Sequence, residues 1–234
     1  HAYAPDLKAG DINEVRRLIE KYEMPVLGYT PEHNAYPYNY MIGSEAQRRD
    51  AIDYLKLSLE MAKEMGAEFV LTSPANGGYL ATYDQLWSRL EKNIQELGDY
   101  AAKLEIKLVV EALTPYESNF FTRANDLVEL FRRVDNPYVV GMCDIVPPFV
   151  QHESIMAYFD KLGNKMDHMH IIDGENGSDT HLIPGERNIP IKEMLYEMKR
   201  IGYDKTATLE LVTNYINEPR FYAKRAIDNM RELM

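Results

Sequence analysis

The feature that most restricts this chain is a rhythm: six times over, a short apolar run gives way to a turn and then to a longer segment of helical spacing. The runs predict strands at residues 25–30, 67–72, 106–111, 138–144, 165–172 and 206–212. Between them, apolar residues three and four apart define one face of each helix. Ile52, Leu55, Leu59 and Ala62 form one such face, stopped at Gly66, and Leu86, Leu90, Ile94 and Leu97 form the next. Leu127, Leu130, Phe131 and Val134 follow, then a helix near 155–162, then Ile191, Leu195 and Met198. The last helix opens at Pro219, a first-turn proline, with Ile227 and Met230 facing inward. One further helix precedes the series: Asp11 and Glu14 make a variant capping box ahead of Ile12, Val15, Ile19 and Tyr22.

Alternating strands and helices imply a parallel sheet, because each helix must return the chain to the same end. An open doubly wound sheet and a closed barrel both satisfy that rule. No G-x-G-x-x-G follows a strand, which weakens the dinucleotide-binding form of the open sheet. A complete barrel has eight strands and ~250 residues. The expected fold is therefore a (β/α)8 TIM barrel in one domain over residues 1–234. Its first strand, first helix and second strand are expected to lie upstream of His1, whose neighbours 1–6 read as a loop.

Charge narrows the partners. Twenty-six Lys and Arg against 37 Asp and Glu give −11, which argues against a nucleic-acid backbone or an anionic membrane surface. A single cysteine, Cys143, allows no internal disulfide and fits a reducing cytoplasm, the expected location. No apolar stretch has the length of a membrane span, and the start does not read as a signal peptide. A homo-oligomer stays open.

In a parallel barrel the strand C-termini share the catalytic face. Glu111, Asp144, His170 and Glu210 close four successive predicted strands. Taken singly, each reads equally as an ion pair or a helix cap. Together, three carboxylates and an imidazole favour one divalent cation: Mn, Mg, Co or Zn. His168 shares a strand face with His170 but lies deeper, and reads as a satisfied core histidine. The loop 32–40 follows a strand, so Tyr36, Tyr38 and Tyr40 either wall a pocket or pack the barrel mouth. Trp87 reads as helix–barrel packing, and Met61, Met65, Met194 and Met198 as core.

At these residues the chain resembles the xylose-isomerase-like TIM barrels, and among them the sugar 3-epimerases. The likeness is densest in residues 1–10 (HAYAPDLKAG), 28–39 (GYTPEHNAYPYN), 113–119 (LTPYESN), 158–163 (YFDKLG), 178–186 (SDTHLIPGE) and 210–222 (ELVTNYINEPRFY). The resemblance implies an eight-stranded barrel with Glu111, Asp144, His170 and Glu210 as metal ligands. It implies substrate contacts from Glu117, six residues after Glu111, and from His181, which stands where related ketose 3-epimerases carry an arginine. Tyr36 and Tyr38 join the expected substrate wall. Two further departures are Pro147 in place of a substrate-binding histidine and Arg187 in place of a turn glycine.

The expected reaction is inversion at C3 of a ketose or ketosamine through a cis-enediolate, with Glu111 and Glu210 as the two bases. Sugar isomerases and dehydratases of the same superfamily are the near alternatives. A zinc-dependent abasic-site endonuclease would need more histidines than the six present, and a non-catalytic sugar binder would not need paired bases.

Overall fold

In the computed structural model, which describes residues 3–34 and 37–234, six strands form one wholly parallel sheet in chain order. They are β1 (Gly28–Tyr29), β2 (Phe69–Thr72), β3 (Lys107–Val110), β4 (Val139–Asp144), β5 (Met166–His170) and β6 (Thr206–Thr208). A doubly wound sheet reverses its strand order at a switch point, and this one never does. Its order is that of a barrel wall, with β1 and β6 as the two outer strands. Each predicted strand is present but shorter. The outer pair shrinks most, because each has a hydrogen-bonding partner on one side only among the described residues.

Two helices illustrate how the connections are fixed. Before α3 (Glu45–Met65), Ser44 Oγ accepts from the Gln47 N–H while Gln47 Oε1 accepts from the Ser44 N–H. Thr82 and Gln85 repeat this exchange ahead of α4 (Tyr83–Leu104). Such reciprocal caps satisfy donors that the first helical turn leaves unpaired. Gly66 then ends α3 at φ 77°, a left-handed backbone that favours glycine. Leu55, Leu59, Leu90, Ile94 and Leu97 lie in the layer between helices and sheet, along with Met61, Met65, Met194 and Met198. Trp87 belongs to the same layer, beside Phe121.

A separate, smaller cluster fills the other face of the sheet: Phe69, Leu71, Val109, Val140 and Met142. This division sets up the site. Side chains alternate along a strand, so a residue two beyond an inner-face residue also points inward. Val109 is followed at that interval by Glu111, and Met142 by Asp144. His168, whose ring lies 4.7 Å from Phe69, is followed by His170.

Several expectations need correction. The chain start is helical from Ala4: α1 (Ala4–Asp6) and a π-helical turn (Leu7–Asp11) run into α2 (Ile12–Tyr22). Asp11 therefore has helical backbone angles and makes no side-chain cap; the kink falls at Gly10, φ 148°. Pro5 suits a first helical turn, which loop-like composition concealed. A short helix, α6 (Val146–Val150), precedes α7 (Met156–Leu162), its two prolines sitting where a helix needs no N–H bond. Tyr22 on α2 is 60% exposed and Ile227 on α9 (Pro219–Leu233) is 43% exposed, though both belong to predicted apolar faces. These helices flank the outer strands, and beside β6 and α9 a groove lined by Leu209, Leu211, Ile216 and Ile227 lies open.

Candidate metal centre

Glu111 stands directly after β3, Asp144 and His170 end β4 and β5, and Glu210 lies two residues past β6. The sequence placed Glu210 within a strand; the fold puts it on the strand's irregular continuation, on the same face. One ligand atom from each of the four falls within 4.8 Å of all the others. Glu111, Asp144 and His170 are buried, and Glu210 is partly so. His170 Nδ1 stands 2.9 Å from Glu210 Oε2 and 3.6 Å from both Glu111 Oε1 and Asp144 Oδ2. Yet this buried nitrogen has no hydrogen bond of acceptable geometry. An orphaned imidazole nitrogen facing three carboxylates is costly as a hydrogen-bond network and well suited to ligation. Oxygen and imidazole donors together fit a divalent cation.

Burial raises the Glu111 carboxyl well above its ordinary range; His170 opposes this, while the Glu210 and Asp144 charges add to it. Burial acts in the same direction on Glu210, but the imidazoles of His170 and His181 more than reverse it and hold that carboxyl low. His181 Nε2 lies 3.3 Å from both Asp144 Oδ2 and Glu210 Oε2. Burial works against its charged form, but those two carboxylates raise it to about 11.

Around the four lies a supporting set. Glu117 Oε2 accepts from the Thr114 N–H at 3.2 Å and from its hydroxyl at 3.0 Å. Asp144 Oδ1 accepts from the Val146 N–H at 2.7 Å, which the helix start after Asp144 makes possible. His168 makes no such approach: its ring nitrogens lie 2.7 and 3.1 Å from the Thr206 and Thr208 hydroxyls, and burial lowers it to about 3. Tyr38 packs away from these four side chains, its ring against Tyr54 at 4.5 Å and Tyr3 at 5.8 Å. Tyr40 is buried and donates its hydroxyl to the Ser73 carbonyl. Tyr36 lies outside the described residues.

Sequence reasoning passed over two organisers of the catalytic-end loops. His33 Nε2 accepts from the Ser73 N–H, leaving Nδ1 to donate to the Pro31 carbonyl, which joins the loops after β1 and β2. Asp173 is fully buried and accepts from the N–H groups of Gly174, Arg187 and Ile189, pinning the loop after β5. Its place three residues after His170 was a readable signal. The same bonds account for Arg187. Of that turn only Gly185 has a positive φ (83°), so position 187 tolerates a side chain, and Arg187 pairs with Glu175 at 2.5 Å.

Comparison with known proteins gives the family. The Xylose isomerase-like TIM barrel family matches residues 1–233. Fructoselysine 3-epimerase of Shigella flexneri and that of Escherichia coli O157:H7 are each 48% identical to this chain over 234 residues, covering 100% of it and 85% of their own length. The structure of 3-keto-D-glucoside 4-epimerase from E. coli matches at a TM-score of 0.79 and 14% identity, over 95% of this chain and 84% of that one. A D-psicose 3-epimerase structure matches at 0.75 and 17%, over 89% and 73%. At such identities the structures speak to the fold alone, and both carry it. With a family match along nearly its whole length and strands in barrel order, the chain belongs to the xylose isomerase-like TIM barrel family.

Proposed function

We propose that this protein is a metal-dependent carbohydrate 3-epimerase, an isomerase that interconverts fructoselysine and psicoselysine. The observation that carries the reading is the meeting of Glu111 and Glu210, from the nonadjacent strands β3 and β6, around one buried point. The full-length 48% identity to fructoselysine 3-epimerases supports the choice of substrate.

Inverting C3 of a ketose requires removal of the proton next to the C2 carbonyl and its return to the opposite face. Two bases on opposite sides of the sugar do this, and Glu111 and Glu210 take those parts. General acid–base assistance of this kind contributes ~10²–10⁴-fold. Glu111, Asp144, His170 and Glu210 would hold the cation, which when bound supplies positive charge to offset that developing on the sugar oxygens. Glu117 and His181 hold the sugar in register with the two bases, since misplacement by an ångström is enough to lose much of the rate.

The deciding experiment is NMR of the metal-loaded protein with fructoselysine in deuterated water. Deuterium enters at C3 for this reaction, whereas label at C1 would convert the reading to an aldose–ketose isomerase. Glu111→Gln and Glu210→Gln should each fold and lose turnover by ~10²-fold or more. Near wild-type exchange in either variant rules out the two-base scheme.

A further inference from the structure

The loop after β5 folds back on itself: Asp173 and Leu182 exchange backbone hydrogen bonds of 2.7 and 2.8 Å. On its returning arm, Asp179 comes beside the centre, where it interacts with His181, Asp144, Glu210 and Glu117. Asp179 Oδ1 is fully buried and has no hydrogen-bond partner, and the same is true of Thr180 Oγ1. Burial raises the carboxyl of Asp179 and, with help from Asp179 itself, that of Glu117. The Thr114 hydroxyl serves both carboxylates, but a hydroxyl has one proton to donate. Neither acid is ion-paired to a lysine or arginine among the described residues, and the nearby His181 is already held between Asp144 and Glu210. Two acids that share one hydroxyl, with a single backbone N–H on Glu117 and a bare buried oxygen on Asp179, have acceptor capacity left for a cationic N–H donor.

We propose that Asp179, with Glu117, is a specificity determinant that reads the secondary ammonium of a ketosamine, each carboxylate accepting one of its two N–H groups. In such a substrate the nitrogen is attached to C1, adjacent to the C2–C3 unit on which Glu111 and Glu210 act. A carboxylate beside those bases is therefore within reach of it. A neutral ketose carries a hydroxyl there, with one proton and no charge, and leaves Asp179 unsatisfied.

This inference rests on the epimerase reading, and the test separates the two. Deuterium exchange at C3 is followed for fructoselysine and for fructose with wild-type protein and Asp179→Asn, an isosteric change whose folding is checked by thermal melt. The ratio of kcat/KM for the ketosamine over the neutral ketose, or of inhibition constants where the neutral sugar only inhibits, should fall on the order of 10–100-fold in the variant. An unchanged ratio overturns the role of Asp179 while leaving the epimerase standing. Absence of C3 exchange on both sugars in the wild type removes the epimerase reading itself. A second measurement needs no variant: acylation of the C1-attached nitrogen of fructoselysine turns the secondary ammonium into a tertiary amide, which removes the charge and both N–H groups, and should weaken inhibition of the wild type by at least a similar factor. Equal inhibition by both forms sinks the proposal.

Discussion

His168 and His170 sit two residues apart on one strand, on the same side of the sheet, and have opposite roles. His170 meets three carboxylates with no hydrogen bond at Nδ1, whereas His168 is taken up by two threonine hydroxyls of β6. Because burial lowers His168 from 6.5 to about 3, the folded protein keeps it neutral where the unfolded chain takes up a proton. Its contribution to stability is thus complete above pH 6.5 and is lost as pH falls from 6.5 toward 3. Urea unfolding between pH 7 and 5 should show stability falling, with a shallower fall in His168→Gln. Equal slopes would mean that His168 has no part in it. The convergence of Glu111, Asp144, His170 and Glu210 was legible in the sequence because a strand end is an obvious place to look for a lone polar residue. Asp179 was not, since a loop gives no periodicity from which to read a side chain's direction. His181 was found only through its place before Pro184-Gly185.

At the level of elements, long helices were read well and their meeting points poorly. α3 and α4 carry strong apolar stripes, yet the close approach of α4 to β4 depends on Gly98, which periodicity does not flag. A Cβ at that position would lie 2.5 Å from Val139 Cγ2 and 3.1 Å from Asn136 Nδ2. Helix propensity favours alanine over glycine by ~1 kcal/mol, while overpacking a tight contact costs ~1–3 kcal/mol. Packing wins at Gly98, so Gly98→Ala should lower stability in chemical denaturation despite its better propensity; a gain would show that β4 yields easily. The cap before α3 works in the ordinary direction. Ser44→Ala should cost ~1 kcal/mol, read as an earlier melting transition. Strand lengths were overestimated at β1 and β6 because an apolar run records burial, whereas a strand also needs a partner for its backbone.

For the molecule as a whole, the centre should act as a thermodynamic load. A ligand that binds only the folded state, at a hundred times its dissociation constant, adds ~2.7 kcal/mol. Divalent cation should therefore raise the melting temperature, a chelator should lower it, and Asp144→Asn should abolish the difference. A melting point indifferent to cation and chelator would mean that the four residues hold none. The spread of the four side chains over the sheet has a further consequence. Three of the four side chains come from the ends of β3, β4 and β5, and the fourth comes from the irregular continuation of β6. A cation gripped by all four would fasten this thread to the middle of the fabric. Amide hydrogens around Thr206–Thr208 would then exchange more slowly once the ion is in place, while those of β1, which supplies none of the four, would keep their pace.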